Sequence, residues 1–140
     1  MKVLSLRPFW AHAVIYFGKD VENRSWATNY RGRIAIHASS NKESAYARSE
    51  MVAYVKKEMS KHLRVVPSGI IYTKPISGAI IGTVELVECR LNTGMEKSLP
   101  FADEGSDYHW ILRDSKRCAP YPCLGKLRLW ECPDEWVKEI

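Results

Sequence analysis

The chain has 140 residues, 46% of them hydrophobic and 26% charged, which fits a single globular domain over residues 1–140 and excludes a disordered polymer. No apolar run reaches the roughly 18–20 residues that a membrane span needs, and Arg7, Pro8 and His12 interrupt the N-terminal stretch where a signal peptide would be continuously apolar, so the expectation is a cytoplasmic protein with no membrane partner. The net charge of +5 is uneven: residues 1–70 carry 12 Lys and Arg against 5 Asp and Glu, and residues 71–140 carry 9 against 11, so the first half suits an anionic partner such as nucleic acid.

Val3–Leu6 reads as a short strand. Pro8 suits the first turn of a helix, where its missing N–H does no harm. Trp10, Ala13, Val14 and Phe17 repeat at helical spacing and Gly18 can close the helix in a left-handed cap, which predicts a helix over 8–17. Residues 20–26 and 33–38 look extended, the second strongly so. Ser40-Asn41-Lys42-Glu43 has the form of a capping box and predicts a helix over 41–62, with Ala47, Met51, Tyr54, Val55 and Met59 on one face. Pro67 and Gly69 then break the chain. From Ser77 the pattern is β: a long strand over 78–89 with a bend or bulge at Gly82, a strand over 108–112, a proline-containing loop from Asp114 to Gly125, and a strand over 126–130. Several strands with two helices predict an α+β domain built on a curved sheet or small barrel.

Cys89, Cys118, Cys123 and Cys132 read as reduced thiols rather than a disulfide framework. Cys118, Cys123 and Cys132 could be drawn with His109 as a zinc set, but they lack the C-x2-C spacing of most structural zinc sites. Asp103, Glu104 and Asp107 could hold a divalent cation or form a polar loop. No motif demands a metal or a cofactor, and neither is expected. The segment Glu96–Asp107 is a candidate lid.

The densest set of polar and aromatic residues lies between Gly18 and Ser39. In an extended segment Glu22 and Arg24 share one face. With Lys19 beside them and Trp26 as a stacking surface, they could hold a phosphate or a polar base edge. Equally, Glu22 and Arg24 could be an ion pair beside a core tryptophan. Lys19 would pair with a phosphate or serve as a general base. Glu22 would accept from an exocyclic amine or activate water, and Arg24 would orient Glu22 or clamp a phosphate. Trp10 could stack on a base, although its place on the apolar helix face suits core packing.

His37 and Ser39 end one strand, and Tyr108 and His109 begin another. If these strands face one cleft, a histidine could serve there as a general acid or base; the alternative is a hydrogen-bonded structural histidine. Ser39 is also drawn toward the start of the long helix. Arg31, Arg33, Lys42, Arg48, Lys56, Lys57, Lys61 and Arg64 outline a path for a nucleic-acid backbone, with Lys57, Lys61 and Arg64 on one face if the helix runs that far; the alternative is a solvated face. Chemistry is thus assigned to Lys19, Glu22, His37 and Tyr108. Binding is assigned to Arg24, Trp26, Arg31, Arg33, Ser39, Lys57, Lys61, Arg64 and His109.

Leu4-Ser5-Leu6-Arg7-Pro8-Phe9-Trp10-Ala11, Gly18-Lys19-Asp20-Val21-Glu22-Asn23-Arg24-Ser25-Trp26 and Tyr30-Arg31-Gly32-Arg33-Ile34-Ala35-Ile36-His37-Ala38-Ser39 together resemble the ASCH domain family. The family's G-x-K-x-x-E-x-R core stands here as Gly18–Arg24, one residue shorter because Lys19 follows Gly18 directly. The segments Gly78–Val84, Tyr108–Leu112 and Gly125–Trp130 are similar as well, so the resemblance covers residues 3–131. It implies a PUA-like fold, a small β-barrel flanked by helices, with a cleft lined by the Lys/Glu/Arg segment and a role in binding RNA or DNA. It also implies hydrolase chemistry, since small bacterial members cleave RNA or remove an acyl group from a modified cytidine. Those acyl-cytidine hydrolases carry Thr where this chain has Glu22. The resulting expectation is a nucleic-acid-binding domain, RNA-directed and favouring single strands, with RNA cleavage as an added activity. The alternatives are an amidohydrolase of an acylated cytidine and a non-catalytic reader of modified bases in DNA.

Overall fold

The computed structural model describes residues 1–41, 43–62, 64–65, 74–94 and 99–140. The elements run β1 (Lys2–Leu6), α1 (Pro8–Tyr16), β2 (Val21–Arg24), β3 (Gly32–Ala38), α2 (Ala45–Lys61), β4 (Ala79–Leu91), β5 (Tyr108–Pro122) and β6 (Leu129–Glu131), followed by a 3-10 turn at Asp134–Trp136. The strands make one curled sheet, half of a barrel, in the order β2-β5-β4-β3-β1-β6. β1 and β3 are parallel, with Val3 opposite Ala35, and the other pairs are antiparallel. This is the α+β, PUA-like architecture expected of the chain.

Alternation along the strands divides the core between two faces. Leu4, Leu6, Ile34, Ile36 and Ala38 meet Val14, Ile81, Leu86, Trp110 and Leu112 on the face covered by α1. Val3, Ala35, Ile80, Cys118, Trp130 and Cys132 form a smaller cluster on the other. Helix α1 is buried nearly all round, as a helix packed on two sides must be. Its outer side meets Met51, Val55 and Met59 of α2 together with Phe101. Each such aliphatic side chain contributes about 1.5–3 kcal/mol by leaving water. Gly82 sits at a register shift in β4, where a Cβ would lie 2.7 Å from Ile15 and 2.5 Å from the Lys116 carbonyl, so the glycine lets α1 lie close to the bulged sheet.

Three boundaries differ from expectation. Helix α2 starts at Ala45, capped by Ser44, whose Oγ accepts from Ala47 N at 3.1 Å. Glu43 cannot complete a capping box there because its Oε1 accepts from Phe9 N at 2.9 Å and so caps α1 instead. Asp114–Pro122 is strand rather than loop, paired with β4 at Lys116–Arg117 and again at Tyr121–Pro122, and bridged at Cys118 to Glu139. Finally, β6 begins only at Leu129, because Arg128 adopts φ +59 and turns the chain. Lys42, Pro67, Gly69 and residues 96–98 of the candidate lid lie outside the described residues. No described helix is long and apolar enough to cross a membrane.

Candidate functional site

The site begins where α1 ends. Gly18 takes φ +75, a left-handed conformation that glycine adopts freely, and Lys19 N donates to Ala13 O at 3.1 Å. This reversal carries Lys19 back beneath the helix, with Nζ 5.3 Å from the centroid of Trp10. The same Nζ donates to Val21 O and to Glu22 Oε1, the latter at 3.2 Å. On β2, Glu22 lies opposite Trp110 and Arg24 opposite Tyr108, so the two charged residues share a face as their spacing requires. Arg24 Nε lies 3.2 Å from Glu22 Oε2, and Arg24 Nη2 donates to Ser5 O at 3.1 Å. Lys19 is only 4% exposed and Glu22 7%, so a cation–anion–cation row with a net charge of +1 lies buried at one end and open to solvent at Arg24.

Two openings meet above this row. A cleft of about 440 Å³ is lined by Trp10, Lys19, Glu22, Asn23, Glu50, Tyr54, Asp103 and Ser106, with Met51 at its base. A groove of about 350 Å³ is lined by Ser5, Arg7, Trp10, Glu22, Asn23, Arg24 and Ser39. They share Trp10, Glu22 and Asn23. The cleft carries three carboxylates against one lysine, whereas the groove carries two arginines against one glutamate. Trp10 stands edge-on to Tyr54 at 5.6 Å and 85°. The Tyr54 hydroxyl donates to Phe101 O at 3.3 Å, and burial, helped by Glu58, Asp103 and Glu22, pushes its pKa up and keeps the phenol neutral. Asn23 ties the wall together: its amide donates to Phe101 O at 2.9 Å and its Oδ1 accepts from Asp103 N at 2.9 Å.

The remaining candidates are scattered. His37 alternates with Ile36 to the opposite face of the sheet, where it is 1% exposed. Its ring nitrogens meet Ser5 Oγ at 3.1 Å and Cys123 O at 2.9 Å, it lies edge-on to Trp130, and burial pushes its pKa down. The structure therefore separates His37 from the Lys19 cleft. His109 is buried behind β2 with Nε2 2.8 Å from Asp103 O, which braces the cleft wall. Tyr108 is half-buried against the main core, across from Arg24. Trp26 packs edge-on to Trp110 and is overlaid by the Arg128 guanidinium at 4.9 Å, so this face of its ring is already covered. Arg31 donates to Thr28 O and Tyr30 O. Arg33 is engaged by Glu85, Asp114 and Thr83.

Ser39 does line the groove, and it is not a helix cap because α2 begins at Ala45, four residues later than the sequence pattern predicts. Lys57 and Lys61 are exposed on α2, but Arg64 lies past the helix end and pairs with Asp20 at 3.3 Å, which breaks the expected basic stripe. Arg7, Asn23, Glu50 and Tyr54 join the site although their local sequence assigns them no role in it, Tyr54 reading as core. Asp103, a candidate cation ligand by sequence, and Ser106 belong to the candidate lid segment, and both line the cleft. All four cysteines are free thiols, and among the described residues no three His, Cys, Asp or Glu side chains gather as a metal ion would require.

A curled six-stranded sheet, a helix packed into it and a polar cleft at its β2 edge define a PUA-like domain. The ASCH domain model matches residues 4–118, and the chain belongs to that family, which is associated with nucleic-acid binding. Over 131 residues the chain is 27% identical to Activating signal cointegrator 1 of Homo sapiens and 26% identical to that of Mus musculus; the match takes in 91% of this chain. It spans only 22% of the length of those curated relatives. The crystal structure of ASCH from Zymomonas mobilis superposes with a TM-score of 0.56 at 18% identity, covering 96% of this chain and 89% of that one. A tyrosine-to-phenylalanine variant of the Zymomonas protein matches equally, with 91% of its chain covered. At this identity the likeness establishes the fold.

Proposed function

We propose that the chain binds single-stranded RNA, taking one base into the Trp10–Tyr54 cleft and the adjoining phosphate at Arg7 and Arg24. The observation that carries this reading is the meeting of two unlike openings at Glu22, one aromatic and acidic, the other basic. A nucleotide has the same division. Its base offers a π-face for Trp10 and a polar edge for Lys19, Glu22 and Ser106, while its phosphate needs cations. Ser39 stands in the groove as a partner for a 2′-hydroxyl, which favours RNA over DNA. Single strands are favoured because a paired base cannot enter a cleft walled by α2 without first leaving its stack.

RNA cleavage is a second reading, favoured by the buried contact between Lys19 Nζ and Glu22 Oε1. In it Glu22 takes the 2′-OH proton, the 2′-oxygen attacks the adjacent phosphorus, and the 5′-oxygen leaves with a proton from Lys19, giving a 2′,3′-cyclic phosphate. Arg24 would offset charge on the phosphoryl oxygens.

The test is a gel assay with end-labelled single-stranded RNA, with and without EDTA, comparing wild type with Lys19→Ala. A shifted, intact band supports binding alone. Cleavage that disappears in the variant supports the enzyme. Neither shift nor cleavage overturns both readings and moves the search to acylated cytidine nucleosides or modified DNA.

A further inference from the structure

Between β5 and β6 the chain exposes two leucines, Leu124 at 83% and Leu127 at 92%, next to Lys126 and Arg128. A single exposed leucine is ordinary. These two differ because the backbone that carries them is pinned. Cys123 N donates to Gly78 O at 3.0 Å, and Cys123 O meets the His37 ring. Gly125 is pressed so tightly on the sheet that a Cβ would lie 2.6 Å from Ser5 Oγ and 2.7 Å from His37. Arg128 turns the chain at φ +59 and lays its guanidinium over Trp26, and Lys126 Nζ sits 5.9 Å from the Trp130 ring. The leucines are thus held out by a braced loop.

The end of this loop approaches the groove already described. Arg128 lies over Trp26, two residues beyond Arg24, which lines that groove and donates to the Ser5 carbonyl. We propose that Leu124 and Leu127 act as a wedge that enters between neighbouring bases of the bound strand, with Lys126 and Arg128 directed at the flanking phosphates. The proposal rests on the RNA-binding reading and adds to it a second contact outside the cleft. Apolar side chains that part stacked bases recover the cost of unstacking through the contact that they gain, and they work only where cations hold the backbone close. Lys126 and Arg128 put two cations on the same loop as the leucines, with Arg128 on the side of Arg24, which favours a nucleic-acid strand over an apolar protein surface.

The experiment uses the full chain and an adenine-rich single-stranded RNA carrying 2-aminopurine, whose fluorescence rises when its neighbours unstack. Binding is followed in parallel by anisotropy of an end label. Wild type at saturation is expected to raise the 2-aminopurine signal severalfold. The doubly substituted Leu124→Ser, Leu127→Ser chain, brought to saturation, is expected to leave it near the free-RNA level, with a Kd weakened roughly tenfold. Both leucines are exposed, so an unchanged Tm serves as the folding control. Tight binding by wild type without a fluorescence rise overturns the wedge. An unchanged Kd and an unchanged rise in the substituted chain overturn it too, leave RNA binding standing and assign the leucines to a protein partner. If wild type does not alter the anisotropy at all, the RNA-binding reading falls and the wedge with it.

Discussion

Two buried polar clusters lie on opposite faces of the same sheet, each beside a tryptophan. On one face Lys19, Glu22 and Arg24 sit beneath Trp10, and openings of about 440 and 350 Å³ meet above them. On the other, His37 is held between Ser5 and Cys123, edge-on to Trp130, with Gly125 closed over it. In both clusters the buried groups are engaged, although Arg24 Nε, 3.2 Å from Glu22 Oε2, makes an ion pair without a hydrogen bond. They differ in what lies beyond the partners, open space in one case and packed backbone in the other. A satisfied buried side chain is only structure until one of its contacts can be exchanged for a ligand's. By that measure Lys19 and Glu22 qualify and His37 does not.

The largest effect that would break this contrast is expected at Glu22. Replacing it with Ala removes the anion between two cations and leaves Lys19, which is 4% exposed, without its charge partner. Removal of one member of a buried ion pair costs about 3–5 kcal/mol, and urea denaturation should show a loss in that range. Arg24 reaches solvent and adds little to the loss. A loss under about 1 kcal/mol would mean that water already fills the floor of the cleft, and the comparison with the sealed His37 pocket would sharpen rather than fail.

Next in size is a contrast between two tryptophans. Trp10 lines both openings, while one face of Trp26 is covered by Arg128. Loss of an aromatic stacking partner costs about 1–3 kcal/mol per base, so Trp10→Ala should weaken RNA binding by roughly ten- to a hundredfold. Trp26→Phe keeps a ring beneath Arg128 and should leave the affinity within about twofold. Fluorescence anisotropy with one RNA and both variants is sufficient. Equal losses at the two positions would place the base outside the cleft.

The same contrast explains what could be read from the sequence. Lys19, Glu22 and Arg24 were legible as a set because one helix cap and a period-two strand bring them together within six residues. β1, α1, β3 and most of β4 were legible for the same reason, since local periodicity and local caps determine them. The second half of β5 was not, because Pro120 and Pro122 read as loop and only pairing with β4 and the bridge from Cys118 to Glu139 make it strand. The start of α2 was misplaced because Glu43 caps Phe9, 34 residues away. Tyr54, Asp103 and Ser106 reach the cleft from α2 and a distant loop, and no spacing rule connects them to Lys19. His37 shows the converse. Its strand position was legible, but which face of the strand borders a void is a property of the packed sheet.

The smallest effect tests that last point through pH. Burial lowers the pKa of His37 below its ordinary 6.5, and His12 is lowered by burial and by Arg48 and Arg117. Well above pH 6.5 both rings are neutral whether the chain is folded or not, so they contribute no pH dependence there. As pH falls below 6.5 the unfolded chain binds protons that the folded chain refuses, and stability declines by at most about 1.4 kcal/mol per pH unit for each histidine. Glu88 and Glu131, whose pKa values are lowered by ion pairing from 4.5, titrate below this window and leave it clear. Urea midpoints between pH 7.5 and 5 should therefore fall toward acid, and His37→Gln, whose amide can still donate to Cys123 O, should remove about half of the slope. RNA affinity at pH 7.5 should be unchanged in the same variant, because His37 faces away from the cleft. A variant that keeps the slope but loses binding or cleavage would reverse the assignment, since a ring that titrates with the ligand rather than with folding must touch it.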